Sequence, residues 1–401
     1  MKVPFYRPSI TEREIEQVVA CLRSGWLTTG PVTREFEAEL ARYVGAKHAV
    51  ALNSCTAALH LALDAIGLQR GDLVLVPTMT FAATAEVVRY FDATPVFVDC
   101  DPVTQCIDVS AARTVLERIR AGDRVAGVTQ PHGRVRAIIP MHYAGQMVDV
   151  DAVSALAAEY DLVVIEDAAH TLPAFTRSNT SAPWRAVGTT AAITCFSFYA
   201  NKCITTGEGG MAVTDDDALA DRMRLMSLHG MSKDAWKRYT SAGSWYYEVV
   251  APGFKYNLTD VASAIGRVQL ERANELWEAR RATVARYHEL LEGVPGLELP
   301  REHADRRHSW HLFSIRLDLG VWHAGRDAFI AGLKERGIGA SVHWMPLHMQ
   351  PYYRETYGFA AEDFPVAASL WPRLVTLPLF PGMTPEDVRT VADAIREMAR
   401  D

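Results

Sequence analysis

FSFYANKCITTGEGG, residues 196–210, is the stretch of sequence that decides the fold. An apolar strand, Ala192 to Phe198, leads to Lys202, and a glycine-rich turn follows the lysine. A polar side chain just beyond a buried strand lies at the rim of the sheet. We therefore expect the Lys202 amine at the sheet edge, where a bound carbonyl compound can meet it.

A second segment supplies an acidic partner for this lysine. Leu162 to Ile165 has the composition of a buried strand, and EDAAH, residues 166–170, follows it. A lysine that forms a Schiff base and a carboxylate that keeps a pyridine nitrogen protonated are what pyridoxal phosphate chemistry requires of a protein. Lys202 and Asp167 are the predicted catalytic pair. The alternatives are a surface lysine beside a turn and an acidic residue that only closes a strand.

Composition excludes several classes of protein. Of the 401 residues 49% are hydrophobic and the formal charge is −7, which argues against a nucleic-acid partner. No apolar run approaches the roughly 18 residues of a membrane span, and the N-terminus has no signal-peptide pattern. The six cysteines show no CxxC pair and no zinc-like spacing. We expect reduced thiols, a cytoplasmic location and no metal site.

Strand-length apolar runs alternate with helical periodicity through the first half of the chain. This alternation predicts an α/β fold with a mostly parallel sheet covered on both faces. Predicted strands are His48–Leu52, Leu73–Val76, Pro95–Val98, Ala137–Pro140, Leu162–Ile165, Ala192–Phe198 and Met211–Thr214. Predicted helices are Thr56–Ile66, Thr80–Tyr90, Val150–Tyr160 and Asp215–Met226.

The pattern changes after about Gly253 and predicts a smaller α+β domain. Its elements are a long helix over Thr259–Leu291, a strand over Phe313–Leu317, a helix over Arg326–Arg336, a strand over Gly339–His343 and a helix over Pro385–Ala399. At the other end of the chain, Ser9 to Glu12 has the form of a capping box, which begins a helix that ends near Gly25. We expect an N-terminal segment (1–30) on the core, a large cofactor-binding domain (31–255) and a small C-terminal domain (256–401).

Two further strand ends carry candidate cofactor contacts. NSCTAALH, residues 53–60, opens a helix, whose exposed amides favour an anion such as the cofactor phosphate. Thr56 adds a hydroxyl there and Ser197 is a further phosphate ligand, although a simple helix cap has the same pattern. Phe81 could stack on the pyridine ring or belong to the core. His170 could touch the phenolic oxygen or the ring, or make a structural bond at a helix end.

These residues together resemble the fold-type-I pyridoxal phosphate enzymes, and are most similar to the DegT/StrS family of nucleotide-sugar aminotransferases. The resemblance runs along nearly the whole chain. Its motifs are residues 24–31 (SGWLTTGP), 54–59 (SCTAAL), 77–84 (PTMTFAAT), 140–146 (PMHYAGQ), 166–170, 196–210, 256–260 (YNLTD), 342–348 (VHWMPLH) and 377–383 (LPLFPGM).

The resemblance implies an aspartate-aminotransferase-like large domain with a seven-stranded sheet, in a homodimer whose active sites are shared. It assigns the Schiff-base lysine to Lys202, the pyridine-nitrogen partner to Asp167 and the stacking aromatic to Phe81. It assigns phosphate contacts to Cys55, Thr56, Ser197 and, reaching across from the other subunit, Asn257. Cys55 departs from the glycine usual in the family, and we expect this to be a structural substitution. Family members that remove a hydroxyl group carry histidine at the lysine position, so Lys202 favours transamination.

The substrates implied are an amino acid, L-glutamate, and a keto sugar on UDP or dTDP, with pyridoxamine phosphate between the two half-reactions. Residues 229–257 form a long aromatic segment that resembles enzymes acting at C4 of 4-keto-6-deoxyhexoses, whereas C3-specific enzymes tend to have a shorter one. Predicted substrate contacts are Trp26, Thr28, Thr29, His343, Lys233, Lys237 and Arg238. Lys233, Lys237 and Arg238 would bind the diphosphate, or they form a solvated face of a loop.

Three other functions compete with this interpretation. Another fold-type-I enzyme, such as a cysteine desulfurase, is disfavoured by residues 230–253 and 26–31. A nicotinamide-dependent sugar oxidoreductase would need a GxGxxG turn after the first strand, and none follows Leu52. The third is a regulator that keeps the fold without turnover.

Overall fold

The computed structural model describes residues 2–129, 131–231 and 247–399. Its strands are β1 (His48–Leu52), β2 (Leu73–Pro77), β3 (Thr94–Val98), β4 (Val135–Ile138), β5 (Val163–Asp167), β6 (Phe175–Thr176), β7 (Arg185–Ala186), β8 (Ile193–Ser197), β9 (Gly210–Thr214), β10 (Leu297–Glu298), β11 (Arg306–Arg307), β12 (Phe313–Leu317) and β13 (Leu374–Leu377).

The helices of the described residues surround these strands. They are α1 (Glu12–Ser24), α2 (Pro31–Val44), α3 (Cys55–Ala65), α4 (Ala82–Arg89), α5 (Val109–Ala121), α6 (Val150–Tyr160), α7 (Asp217–Ser227), α8 (Asp260–Glu271), α9 (Ala273–Leu291), α10 (Gly325–Glu335), α11 (Pro351–Tyr357), α12 (Pro365–Leu370) and α13 (Pro385–Met398). Short 3-10 turns lie at Tyr143–Gly145, Leu347–Met349, Ala361–Asp363 and Trp371–Arg373. No described helix is long and apolar enough to cross a bilayer.

The central sheet has seven strands in the order β1-β9-β8-β5-β4-β2-β3. Only β9 runs antiparallel to its neighbours, β1 and β8. The other pairs are parallel. Because β9 is antiparallel to both β1 and β8, these two strands run in the same direction. β5 is parallel to β8, so β1, β5 and β8 all end at the same edge of the sheet. The predicted α/β fold class with a mostly parallel seven-stranded sheet is confirmed.

A smaller α+β unit is built on the three-stranded sheet β10-β12-β13. Its core contains Tyr287 of α9, Phe313 of β12 and Ile395 of α13, each almost completely buried. A third sheet, β11-β6-β7, joins a loop of the large sheet to the segment that precedes β12. The smaller C-terminal unit is thus confirmed, while its boundary at residues 255/256 stays a prediction.

The predicted helix over Thr259–Leu291 is wrong as a single element. It is two helices, α8 and α9, that meet at Arg272. The Arg272 guanidinium donates to the Glu14 carboxylate (2.6 Å) and to the Ser9 carbonyl (3.1 Å). This anchors the junction on the N-terminal segment, and α8 packs against α1 and α2. Helical periodicity alone does not report such a tertiary contact.

Three smaller sequence predictions also differ from the structure. No strand forms over Gly339–His343, where a single bridge joins Ser341 to Thr376. β4 begins and ends two residues earlier than predicted, and Pro140, which has no N–H to donate to the ladder, lies beyond its end. The capping box is formed by Thr11 and Glu14, whose carboxylate accepts from the Thr11 N–H (2.9 Å).

A buried carboxylate fixes the start of α2. Asp260 is 1% exposed and accepts from the N–H groups of Gly30 (2.7 Å), Val32 (3.2 Å) and Thr33 (2.9 Å). These are first-turn amides that have no partner within the helix. Since Asp260 belongs to α8, one side chain caps a helix that is distant in sequence.

We expect Asp260→Ala to lower the free energy of unfolding by about 2–4 kcal/mol, because three buried amides would lose a charged acceptor. The exposed N-cap of α7, Asp216, is the matched control, since its side chain likewise accepts from two first-turn amides. Asp216→Ala should cost about 1 kcal/mol. Denaturant unfolding of both variants measures the difference. If both variants lose the same free energy of unfolding, Asp260 is an ordinary helix cap.

Candidate active site

A cavity of about 340 Å³ lies at the edge of the sheet where β1, β5 and β8 end. Open α/β sheets bind ligands at this edge, outside the carboxyl ends of the strands. The structure brings together in its lining eight of the residues predicted from the sequence: Cys55, Thr56, Phe81, Asp167, His170, Ser197, Lys202 and His343.

Lys202 follows β8 in a tight turn. Its backbone N–H donates to the Tyr199 carbonyl (2.9 Å). Burial lowers the pKa of the Lys202 amine, and the Asp167 carboxylate opposes part of that effect. An amine with a lowered pKa is more often deprotonated near neutral pH and is therefore a better nucleophile.

Asp167 ends β5 and is 3% exposed. Its carboxylate accepts from the Thr84 hydroxyl (2.7 Å) and from the Ala169 N–H (3.1 Å). Burial raises the pKa of Asp167, although these donors and the charge of Lys202 work in the opposite direction. The group is thus a desolvated carboxylate held in a fixed orientation, as a partner for a cationic ring nitrogen should be.

The N-terminus of α3 forms another part of the wall. Ser54 caps this helix by accepting from the Ala57 N–H (3.0 Å). The first-turn amides of Cys55 and Thr56 have no acceptor within the helix and can bind a ligand. β9 approaches this turn closely: a Cβ on Gly210 would lie 2.4 Å from the Cys55 nitrogen. Glycine at position 210 is therefore required for this packing.

The Cys55 thiol points into the protein. It donates to the Cys195 carbonyl (3.5 Å), and burial raises its pKa well above the usual range. Cys55 is the first residue of α3, in a conformation that tolerates a side chain. Its role as a phosphate contact stays a prediction.

Three histidines line the cavity. Burial and the charge of Lys202 lower the pKa of His170 and His311 well below the usual value, and that of His343 to about 4. All three rings are therefore neutral near pH 7. The His343 ring is held through Nδ1 by the Thr376 hydroxyl (2.9 Å).

A wider groove of about 740 Å³ opens beside the cavity. Phe81 and Trp344 line both spaces, with their rings 6.3 Å apart. Phe81 is 58% exposed although it is a large aromatic residue, so its ring is available at the boundary between the two spaces. The groove is also lined by Arg89, Tyr90, Tyr352 and Trp371.

Four predicted residues lie outside the cavity lining, in a cluster of their own. The Asn257 side chain donates to the Thr29 hydroxyl (2.6 Å), and the Trp26 indole donates to the Thr29 carbonyl (3.1 Å). The Thr28 carbonyl accepts from the Asp260 N–H (3.2 Å). Lys233, Lys237 and Arg238 lie outside the described residues.

Sequence reasoning gave no role to several polar and aromatic residues of the site. They are Thr84, which orients Asp167, and the cavity-lining residues Tyr199, Asn201, Glu208, His311 and Trp344. Several belong to motifs already quoted, at 77–84, 196–210 and 342–348, so the signal was present without an assigned role. His311 belongs to none of those motifs.

The donor set fits pyridoxal phosphate. A helix N-terminus with nearby hydroxyls suits the phosphate, a buried carboxylate suits the ring nitrogen and an amine with a lowered pKa suits the aldehyde. The His170 Nδ1 is also buried without a hydrogen-bond partner among residues 2–129, 131–231 and 247–399. Such an atom is expected where a ligand completes the site.

Comparison with known proteins gives a consistent result. A family model for the DegT/DnrJ/EryC1/StrS aminotransferases matches residues 8–396. The spore coat polysaccharide biosynthesis protein SpsC of Bacillus subtilis (strain 168) is 44% identical over 399 residues, which are 99% of this chain and 97% of that protein.

Solved structures agree with this assignment. The PMP-form of the putative sugar aminotransferase Spr1654 from Streptococcus pneumoniae superposes with a TM-score of 0.88 at 31% identity, covering 99% of both chains. DesV from S. venezuelae gives a TM-score of 0.84 at 30% identity, covering 97% of this chain and 95% of that one. The chain therefore belongs to the DegT/DnrJ/EryC1/StrS aminotransferase family.

Proposed function

We propose that this aminotransferase moves the amino group of L-glutamate onto the C4 keto group of a 4-keto-6-deoxyhexose linked to UDP or dTDP. Its cofactor is pyridoxal phosphate. The observation that carries the proposal is the Lys202 amine and the Asp167 carboxylate in one buried cavity at the sheet edge. The similarity to SpsC, a spore coat polysaccharide biosynthesis protein, and to Spr1654, a putative sugar aminotransferase with PMP- and PLP-forms, supports a sugar substrate and this cofactor.

When bound, pyridoxal phosphate supplies an aldehyde that takes up the amino group and a ring that accepts electrons from the reacting carbon. Lys202 binds that aldehyde through its deprotonated amine. When free, the same amine would move a proton to and from the reacting carbon. The lowered pKa of Lys202 suits both tasks, because a base must be able to take up and release a proton near the working pH.

The other proposed contact residues would orient the cofactor. Asp167, held by Thr84, keeps the ring nitrogen protonated. The helix end at Cys55 and Thr56, with the Ser197 hydroxyl, binds the phosphate. Phe81 would cover one face of the ring, and His170 would contact the phenolic oxygen or the ring.

The acceptor occupies the groove beside the cavity. The aromatic side chains of the groove suit a nucleotide base or a sugar, and Arg89 brings a positive charge to the same space. The length of residues 229–257 favours C4 over C3. We propose His343, Trp26, Thr28, Thr29, Lys233, Lys237 and Arg238 as further substrate contacts.

We also propose a homodimer with shared sites, in which Asn257 meets the cofactor phosphate of the partner. In support, Asn257 does not line the cavity of its own chain and is instead held by Thr29. All six cysteines are free and buried, which suits the proposed cytoplasmic location.

Borohydride reduction should fix the cofactor onto Lys202. Peptide mass spectrometry of the reduced enzyme is expected to show the modification on the peptide containing Lys202. Lys202→Ala should lose both the modification and turnover. Lys47→Ala, which removes an exposed lysine far from the cavity, should keep both. Label on another lysine would contradict the assignment.

Replacing Asp167 by asparagine should change both catalysis and the Lys202 amine. We expect kcat to fall by about 10²–10³, the range for loss of one oriented electrostatic group. In the apoenzyme, the pKa of Lys202 should fall further, because the Asp167 charge that stabilises the protonated amine is gone. The pH dependence of Lys202 labelling by an amine reagent measures this shift toward lower pH.

Asp123→Asn, which neutralises an exposed aspartate after α5, is the control for this experiment. It should leave kcat and the labelling curve unchanged. A labelling curve that stays in place, or that moves to higher pH, in Asp167→Asn would contradict the predicted coupling of the two groups.

The acceptor is tested with a panel of 4-keto and 3-keto nucleotide sugars on UDP and dTDP, in the presence of L-glutamate. We expect 2-oxoglutarate to form together with an amino sugar only from the 4-keto compounds, as seen by mass spectrometry. Amination of the 3-keto compounds alone would replace the C4 assignment. No amination of any sugar would overturn the proposed function.

A further inference from the structure

His311 is the one cavity-lining histidine that the sequence did not mark. It is 4% exposed and borders the cavity together with Lys202 and His170. It lies just before β12, in a segment held on both sides. The Leu312 N–H donates to the Ala144 carbonyl (3.1 Å), and the Ser309 N–H donates to the Gly145 carbonyl (3.0 Å). These bonds fix the position of the His311 ring in the lining of the cavity.

A buried cation on another helix holds the same segment. Arg280 of α9 is 1% exposed and donates through Nη1 to the carbonyls of Trp310 (3.3 Å), His311 (3.5 Å) and Leu379 (3.1 Å). The position of His311 is thus set by α9 as well as by the turn at Tyr143–Gly145.

One ring nitrogen of His311 is unsatisfied. Across the described ranges, Nδ1 of His311 and Nδ1 of His170 are both buried without a hydrogen-bond partner, and the two ring centroids are 4.2 Å apart. Native proteins rarely leave buried polar atoms unpaired, so the pair marks a place that a bound group completes.

The charge state of the ring limits what it can bind. Burial, followed by the charges of Lys202 and Arg280 and by the nearby His343 and His308, lowers the pKa of His311 well below its usual value. A neutral imidazole offers one N–H donor and one lone pair. It therefore suits a hydroxyl group rather than a phosphate or carboxylate.

The position of His311 points to the acceptor. The His170 ring lies 4.9 Å from Trp344, and Trp344 lines both the cavity and the groove. His311, His170 and Trp344 thus form a continuous wall from the amine to the groove. A sugar ring whose nucleotide lies in the groove would pass along this wall.

We propose that His311 is a further binding residue for the keto-sugar acceptor and hydrogen-bonds a sugar hydroxyl through its ring nitrogen. The inference rests on the proposed function. It adds a residue that neither the motifs nor the spacing of the sequence identified, and it assigns that residue to one half-reaction.

Two variants and one matched control test this role. His311→Phe keeps an aromatic ring and removes the nitrogens, and His311→Asn restores a polar side chain. His348→Phe is the control, because His348 is equally buried and also has an unpartnered ring nitrogen, yet it borders neither the cavity nor the groove.

The two half-reactions are measured separately, with L-glutamate and with dTDP-4-keto-6-deoxyglucose. His311→Phe should lower kcat/KM for the sugar by about tenfold, mainly through KM, which corresponds to the loss of one hydrogen bond. The glutamate half-reaction should be unchanged, His311→Asn should recover part of the loss and His348→Phe should react normally. In borohydride-reduced enzyme, calorimetry should show the same tenfold weakening of sugar binding.

Equal losses in both half-reactions would place His311 on the cofactor, and no loss in either would make it structural. Either result overturns the inference. If His311→Phe does not fold, His311→Asn decides between the same outcomes. If the wild-type enzyme aminates no keto sugar, the proposed function fails first and this inference fails with it.

Discussion

The burial of the Lys202 amine beside the Asp167 carboxylate is the constraint on which the rest of this structure depends. Desolvation lowers the pKa of the amine and raises that of the carboxylate, and each group partly offsets the effect on the other. A pair of this kind is stable only if the surrounding structure orients it. Thr84 and the Ala169 amide do so for Asp167, and the turn after β8 does so for Lys202. A site of this kind favours an amine that exchanges protons near neutral pH.

The sheet topology explains why these groups meet. β1, β5 and β8 end at one edge because β9 runs antiparallel between β1 and β8. Gly210 lets β9 approach the start of α3, so the helix end at Cys55 and Thr56 lies on the same edge as the amine. Three buried neutral imidazoles then line the space around the Lys202 amine. The cavity is apolar enough to perturb the amine and still has polar atoms to orient a ligand.

Much of this could be predicted from local sequence. The seven strands of the large sheet are short apolar runs bounded by polar or glycine residues, and such runs report burial directly. The ends of β1, β5 and β8 can be recognised in the same way, so the sequence predicts that Cys55, Asp167, Ser197 and Lys202 lie next to strand ends. The tertiary contacts could not be predicted from local sequence. The break at Arg272 depends on Glu14 and Ser9, the cap on α2 depends on Asp260, and the strand expected over Gly339–His343 finds only one partner residue.

The sequence by itself determined the fold class and the type of cofactor, and it predicted Lys202 and Asp167 as the catalytic pair, because all three rest on residues adjacent to strands in the chain. Only the tertiary structure decided which distant side chains complete the site. Thr84, His311 and Trp344 come from three separate segments, and no periodicity or spacing links them to Lys202. The physical reason is that strand and helix patterns record whether a residue is buried, whereas the identity of the neighbour that buries it depends on how the elements pack.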